Sequence, residues 1–188
     1  IDFIVCGEGE LSLLELVHSI HNNKNTSNIK GICFLNNEDR FVNNGLSRRI
    51  EYINEIPRPA WHLLKVENYF NDYFTSGLAR GRNMAILATR GCPYQCTFCS
   101  SPSMWTTRYV MRDPKDLADE MEWLINEFGA TSFEFYDLTA IIKKDWTLEF
   151  CNELKKRKFK NITWQLPVGT RTEALDQDTL QEIYDTGC

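Results

Sequence analysis

The chain has 188 residues, 43% of them hydrophobic and 12% aromatic, enough apolar material to bury a core in one domain or two small ones. A formal net charge of -5 weighs against nucleic-acid binding, and the one basic run, "KKRKFK" (155–160), reads as a solvated helix end that suits the helix dipole. No apolar stretch approaches the about 20 residues that cross a bilayer and no secretory signal pattern opens the sequence, so a cytoplasmic protein without a membrane partner is expected.

In chain order, "IDFIVC" predicts a short strand and "GEGE" (7–10) a glycine turn. The helix that follows places Leu13, Leu16, Val17 and Ile20 on one stripe. "IKGICFLNNEDRFVNN" (29–44) reads as a hairpin around the polar turn "NNED". From residue 45 the periodicity fades, and Pro57 and Pro59 fix an extended segment with the character of a linker. A domain boundary is therefore expected between residues 45 and 80.

"MAILAT" (84–89) predicts the next strand. Asp113 suits an N-cap, Pro114 a first helical position and Gly129 a helix stop, with Leu117, Met121, Leu124, Ile125 and Phe128 as the apolar stripe between them. "TSFEFY" (131–136) and "NITWQLPV" (161–168) are further strands. Helices are expected over 145–158, through Phe150, Cys151 and Leu154, and over 177–186, with Leu180, Ile183 and Tyr184 inward and Gly187 as stop. Strand and helix alternate three times, which argues for α/β architecture: a parallel sheet with helices packed outside it. Three strands would leave an edge bare, and the sequence begins inside an apolar run without methionine; both lead to the expectation that it belongs to a longer protein.

Seven cysteines cannot all pair internally, and Cys6, Cys33 and Cys151 sit among apolar residues as small buried hydrophobes would. "RGCPYQCTFCS" is different, because Cys92, Cys96 and Cys99 fall within eight positions of one loop after a strand. Structural zinc usually takes four ligands as two separated pairs; no second pair exists, and His18, His21 and His62 lie in other elements without ligand spacing. An iron–sulfur cluster also normally takes four cysteines, so three would leave one iron open to a small molecule. A zinc site completed by a fourth ligand elsewhere stays open as an alternative.

This loop resembles the CxxxCxφC signature of the radical S-adenosylmethionine (SAM) enzymes, with Phe98 as the aromatic φ. The resemblance implies that Cys92, Cys96 and Cys99 ligate three irons of a 4Fe–4S cluster, that SAM chelates the fourth, and that one electron cleaves SAM to a 5′-deoxyadenosyl radical. It implies the first three units of a partial (β/α)6 barrel over residues 81–188, related to the full barrel whose site lies at the C-terminal strand ends. Tyr136 and Asp137 then stand where the family holds the methionine amino group of SAM, with Glu134 on the same face as Tyr136. The glycine-rich form of that motif is absent. Arg171 would reach the SAM carboxylate, and Phe98 would flank the adenine.

"VCGEGE", the hairpin and "IPRPAWHLL" are similar to the segment joining two domains in the cobalamin-binding subgroup of that superfamily. On this reading residues 1–44 are the C-terminal remnant of a doubly wound cobalamin-binding domain, with Gly7, Glu8 and Gly9 near the cofactor, and residues 45–80 are a linker. The implied reaction is cobalamin-dependent methyl transfer, with a cyclase or rearrangement enzyme and a methylthiotransferase as alternatives and a zinc-binding interaction module as the non-enzyme alternative. The implied partners are a small-molecule or peptide substrate and an electron donor such as flavodoxin or ferredoxin.

Overall fold

The computed structural model describes every residue except 73, 74 and 79, and divides the chain into two compact units, Ile1–Tyr52 and Ile53–Cys188. In the first unit, β1 (Phe3–Val5) precedes α1 (Gly9–His21), and β2 (Ile32–Leu35) and β3 (Phe41–Asn43) form the hairpin. The sheet is antiparallel in the order β1-β2-β3, with Ile4 opposite Cys33 and Phe34 opposite Val42. Gly7 turns the chain from β1 into α1 at φ +87°, where a Cβ would lie 2.9 Å from Ser47 Oγ, so only glycine fits without strain. The core of this unit is small: Leu16, Ile29 and Ile32, with Phe3, Val5 and Phe34 packed against them. Of the four residues expected on the inner stripe of α1, only Leu16 is buried; Leu13, Val17 and Ile20 are about half exposed.

The second unit begins with two short 3₁₀ turns, Ile53–Glu55 and Trp61–Leu63, and then α2 (Val66–Asn71). The segment expected as a linker thus carries short helical elements. Val66 and Phe70, one helical turn apart, are buried in the core of the unit, a pattern too short for periodicity to reveal. Residues 73, 74 and 79 of the expected linker lie outside the described residues. In chain order come β4 (Asn83–Ile86), β5 (Thr89–Arg90), α3 (Ser101–Trp105), β6 (Val110–Met111), α4 (Pro114–Phe128), β7 (Ser132–Phe135), α5 (Lys144–Arg157), β8 (Thr163–Gln165) and α6 (Gln177–Asp185).

Strands β4, β7 and β8 pair in parallel in that order as an open sheet. Period-2 alternation splits the sheet into two faces. Met84, Phe133 and Trp164 share one rung and are buried against the helices, whereas Ala85, Glu134 and Gln165 share the next rung on the opposite face. Phe135, Phe150 and Trp164 pack with ring centroids 5.4 to 5.8 Å apart, locking α5 onto the sheet. α4 starts as its sequence predicts: the Asp113 side chain accepts a hydrogen bond from Lys115 N at 2.7 Å, and Gly129 ends the helix in the left-handed region.

Two expectations are corrected. α6 turns Thr179 and Ile183 inward, while Leu180 and Tyr184 are 48% and 74% exposed, because the i,i+4 pair sets the buried face. The strand expected over 84–89 ends at Ile86, and Thr89 pairs in a separate two-stranded sheet. The basic run at the end of α5 is drawn into ion pairs, Lys155 with Glu182 at 2.7 Å and Arg157 with Glu153 at 2.6 Å.

Candidate metal centre

After β4 the chain passes through Leu87 and Ala88 into β5, which pairs antiparallel with β6. Thr89 faces Met111 and Arg90 faces Val110, so residues 91–109 are closed at the base like a purse. The cysteines occupy the first half of this loop and α3 the second.

Four side chains hold the neck. Asp137, just beyond β7 and 2% exposed, accepts hydrogen bonds from Ala88 N at 3.1 Å and from the Thr89 hydroxyl. Burial pushes its carboxyl up to about 6, against the opposing pull of the Thr89 and Ala88 hydrogen bonds. Arg112 donates its backbone N–H to Ala88 O at 2.8 Å and a guanidinium N–H to Leu87 O at 3.1 Å, and pairs with Asp116 and Glu120. Trp146 Nε1 donates to Arg112 O at 2.7 Å. The Tyr109 hydroxyl is directed at the carbonyls of Thr139 and Ala140, 3.1 and 2.8 Å away, and burial raises its pKa well above that of free tyrosine.

The tip is open by comparison. Cys92 and Cys96 are half-buried and Cys99 is exposed; all three are free thiols. Cys99 N donates to Cys96 O at 3.0 Å, making a tight turn between the last two cysteines. Hydrogen bonding from Ser101, first through its side chain and then through its backbone N–H, holds the Cys99 thiol below its ordinary pKa. Phe98 is 92% exposed. Among the described residues no three His, Cys, Asp or Glu side chains converge closely enough to hold a metal ion. The donor set itself fits an iron–sulfur centre, since three free soft thiols share one short loop at the C-terminal end of a parallel strand.

The other candidate residues fall into separate groups. Arg171 comes to the cysteine loop: its guanidinium covers the Tyr94 ring at 4.2 Å, and Nη2 lies 3.3 Å from Cys96 Sγ. Glu134 is fully buried and forms a hub, accepting from Ser76 N at 3.0 Å, Gly77 N at 2.8 Å, Gln165 Nε2 at 3.0 Å, Tyr136 Oη at 3.1 Å and the Thr75 hydroxyl. Burial alone would raise its pKa; these hydrogen bonds outweigh burial and leave it lowered. Tyr136 also accepts from Ser76 Oγ at 3.0 Å. In the first unit, Glu8 is buried, with Arg49 Nε at 3.2 Å and Ile50 N on its carboxylate, and its carbonyl accepts from Ser47 Oγ at 2.7 Å.

Thr89, Tyr109 and Arg112 carry no motif in the sequence. Two-residue strands carry no periodicity; the only available signal was that Arg112 and Asp113 directly precede the Pro114 helix start.

No protein-family model matches the chain. An anaerobic magnesium-protoporphyrin IX monomethyl ester cyclase of Cereibacter sphaeroides is 33% identical over 191 residues, covering 100% of this chain and 30% of the relative. An uncharacterized methyltransferase of Pyrococcus horikoshii is 27% identical over 188 residues, covering 100% of this chain and 39% of the relative. The solved structure of the radical S-adenosylmethionine methyltransferase TsrM from Kitasatospora setae, with cobalamin and a 4Fe–4S cluster bound, superposes with a TM-score of 0.75 at 20% identity, over 100% of this chain and 36% of that one. By sequence the chain is thus similar to part of a cyclase and part of a methyltransferase, and by fold to part of a radical S-adenosylmethionine methyltransferase. It spans about a third of the length of these curated relatives. The open sheet with the cysteine loop at its first strand end shares the fold of the matched part of TsrM. Among the described residues, no helix is long and apolar enough to cross a membrane.

Proposed function

We propose that Cys92, Cys96 and Cys99 ligate a 4Fe–4S cluster in a cobalamin-dependent radical SAM enzyme whose net reaction is methyl transfer. The observation that carries this reading is the trio of free thiols on one loop, closed at its base and set at the C-terminal end of the first parallel strand. When bound, the cluster and SAM supply reductive cleavage to a carbon-centred radical, and cobalamin supplies a methyl carrier.

The residues of the chain bind and position. Asp137, Arg112 and Tyr109 hold the neck, so the ligand-bearing stretch stays anchored to the sheet while its tip takes up the cluster. Phe98 offers an exposed ring beside two ligands, suited to stacking on adenine. Tyr136, at 45% exposure, offers its ring at the strand end with its hydroxyl held by Glu134 and Ser76, and is the more accessible of the expected pair to SAM, since Asp137 is buried in the neck. Residues 1–44 are read as the end of a cobalamin-binding domain, residues 45–80 as the connection, and residues 81–188 as the barrel portion. Glu8 there braces the turn against Arg49 and Ile50, leaving the backbone of Gly7 and Gly9 to approach the cofactor. A small-molecule or peptide substrate, a flavodoxin or ferredoxin as electron donor, and a cytoplasmic location complete the reading.

The test uses the whole protein, reconstituted anaerobically with iron and sulfide, reduced with dithionite and given SAM. Formation of 5′-deoxyadenosine, lost on replacing any of the three cysteines by alanine, supports the reading; stoichiometric zinc without iron overturns it. A second reading, cyclisation without methyl transfer, is favoured by the 33% identity to the Cereibacter cyclase. SAM carrying a deuterated methyl group separates the two, since only methyl transfer moves the label into a product.

A further inference from the structure

Arg171 lies 75 positions after Cys96 and meets it through a loop that is itself fixed. Gly169 N donates to Leu166 O at 2.9 Å, and the Thr170 hydroxyl donates to Ile141 O at 2.6 Å, so the residue before Arg171 is tied to the segment following β7. The guanidinium then makes two contacts that require its planar shape: its face lies over Tyr94, 4.2 Å from the ring centroid, and its edge presents Nη2 to Cys96 Sγ at 3.3 Å. Tyr94 and Cys96 are two residues apart in the loop, so one side chain grips the loop at both points.

We propose that Arg171 is a positioning residue for the cluster: a latch that stacks on Tyr94, orients Cys96 as a ligand, and raises the reduction potential of the cluster by a charge-assisted N–H···S hydrogen bond. The proposal rests on the reading of Cys92, Cys96 and Cys99 as cluster ligands, and assigns Arg171 to a ligand sulfur in place of the SAM carboxylate. Hydrogen bonds to ligand sulfur and a nearby positive charge favour the reduced, more negative cluster. A lysine brings a charge but no plane, so it cannot stack on the ring and reach the sulfur together. The neck anchors the loop at its base, and the Arg171 latch is the matching restraint on the ligand stretch.

The experiment compares the whole reconstituted protein with Arg171→Ala, Arg171→Lys, Tyr94→Phe and Tyr94→Ala. It reads iron per chain, the rate of iron loss to a chelator, and the midpoint potential followed by electron paramagnetic resonance. Arg171→Ala and Tyr94→Ala should lose iron about tenfold faster, the lower end of what removing an outer partner of a metal ligand costs. Arg171→Ala should also shift the midpoint to more negative potential, a change that mere loosening of the fold would not produce. Tyr94→Phe keeps the ring and should match the parent protein. Arg171→Lys should lose iron faster than the parent while keeping part of its potential, and it carries the test if Arg171→Ala fails to fold. An Arg171→Ala protein with parental iron retention and parental potential overturns the latch alone. A parent protein that binds no iron overturns the cluster reading, and the latch falls with it.

Discussion

The neck and the tip of the cysteine loop are built on opposite terms. At the neck, Asp137 and Trp146 are buried, Arg112 is largely covered, and together they tie Leu87, Ala88 and Thr89 to β7, α4 and α5. At the tip, Phe98 is 92% exposed and Cys99 is free and exposed. Stability and ligand capacity are thereby separated. The buried network sets where the loop begins and ends, while the thiols stay free, touched only by outer partners such as Arg171 on Cys96 and Ser101 on Cys99.

That contrast can be broken from either side. The largest expected effect is on metal: replacing any one of Cys92, Cys96 or Cys99 by alanine should abolish iron incorporation, read as iron per chain and loss of the brown absorbance, while leaving the melting temperature of the metal-free protein nearly unchanged. At the neck the sign reverses. Glu120→Ala removes the more buried of the two carboxylates on Arg112, whose side chain is 12% exposed, and should cost about 2 kcal/mol in a urea unfolding curve, Asp116 remaining as its ion-pair partner.

Asp137 sharpens the comparison through pH. Its carboxyl sits at about 6 in the fold and near 3.8 when free, so the folded state holds the proton more tightly. Stability should therefore fall as pH rises from about 4 to about 6 and level off above that, each unit of pKa difference being worth about 1.4 kcal/mol. Asp137→Asn should flatten this slope relative to the parent protein. Asp113→Ala, which removes the cap of α4, should cost about 1 kcal/mol at any pH where the carboxylate is charged. The smallest effect belongs to the tip: Phe98→Ser should change stability by less than about 0.5 kcal/mol and yet weaken SAM binding to the reconstituted protein.

Much of this was legible in the sequence because the signals were local. The Asp113–Pro114 start, the Gly129 stop and the stripe through Leu117, Met121 and Leu124 specify α4 from a single segment. Period-2 alternation in "TSFEFY" separates Phe133 and Phe135 from Glu134, which places Glu134 on the face away from the helices. The stripe of α1 and the inward face of α6 were less legible, since which residues of an apolar face are covered depends on what packs there. Asp137 was readable as a carboxylate at a strand end, but not as the clamp on Ala88 and Thr89.

The sequence by itself determined the elements and the ligand chemistry, because capping, alternation and cysteine spacing act over a few residues. Only tertiary structure decided the partners: Arg171 with Tyr94 and Cys96, Glu134 with the backbone of Ser76 and Gly77, and Arg112 with Leu87. Such pairings join segments far apart in the chain, and a hydrogen bond between them depends on where the packed sheet and helices deliver each donor and acceptor, which no local pattern encodes.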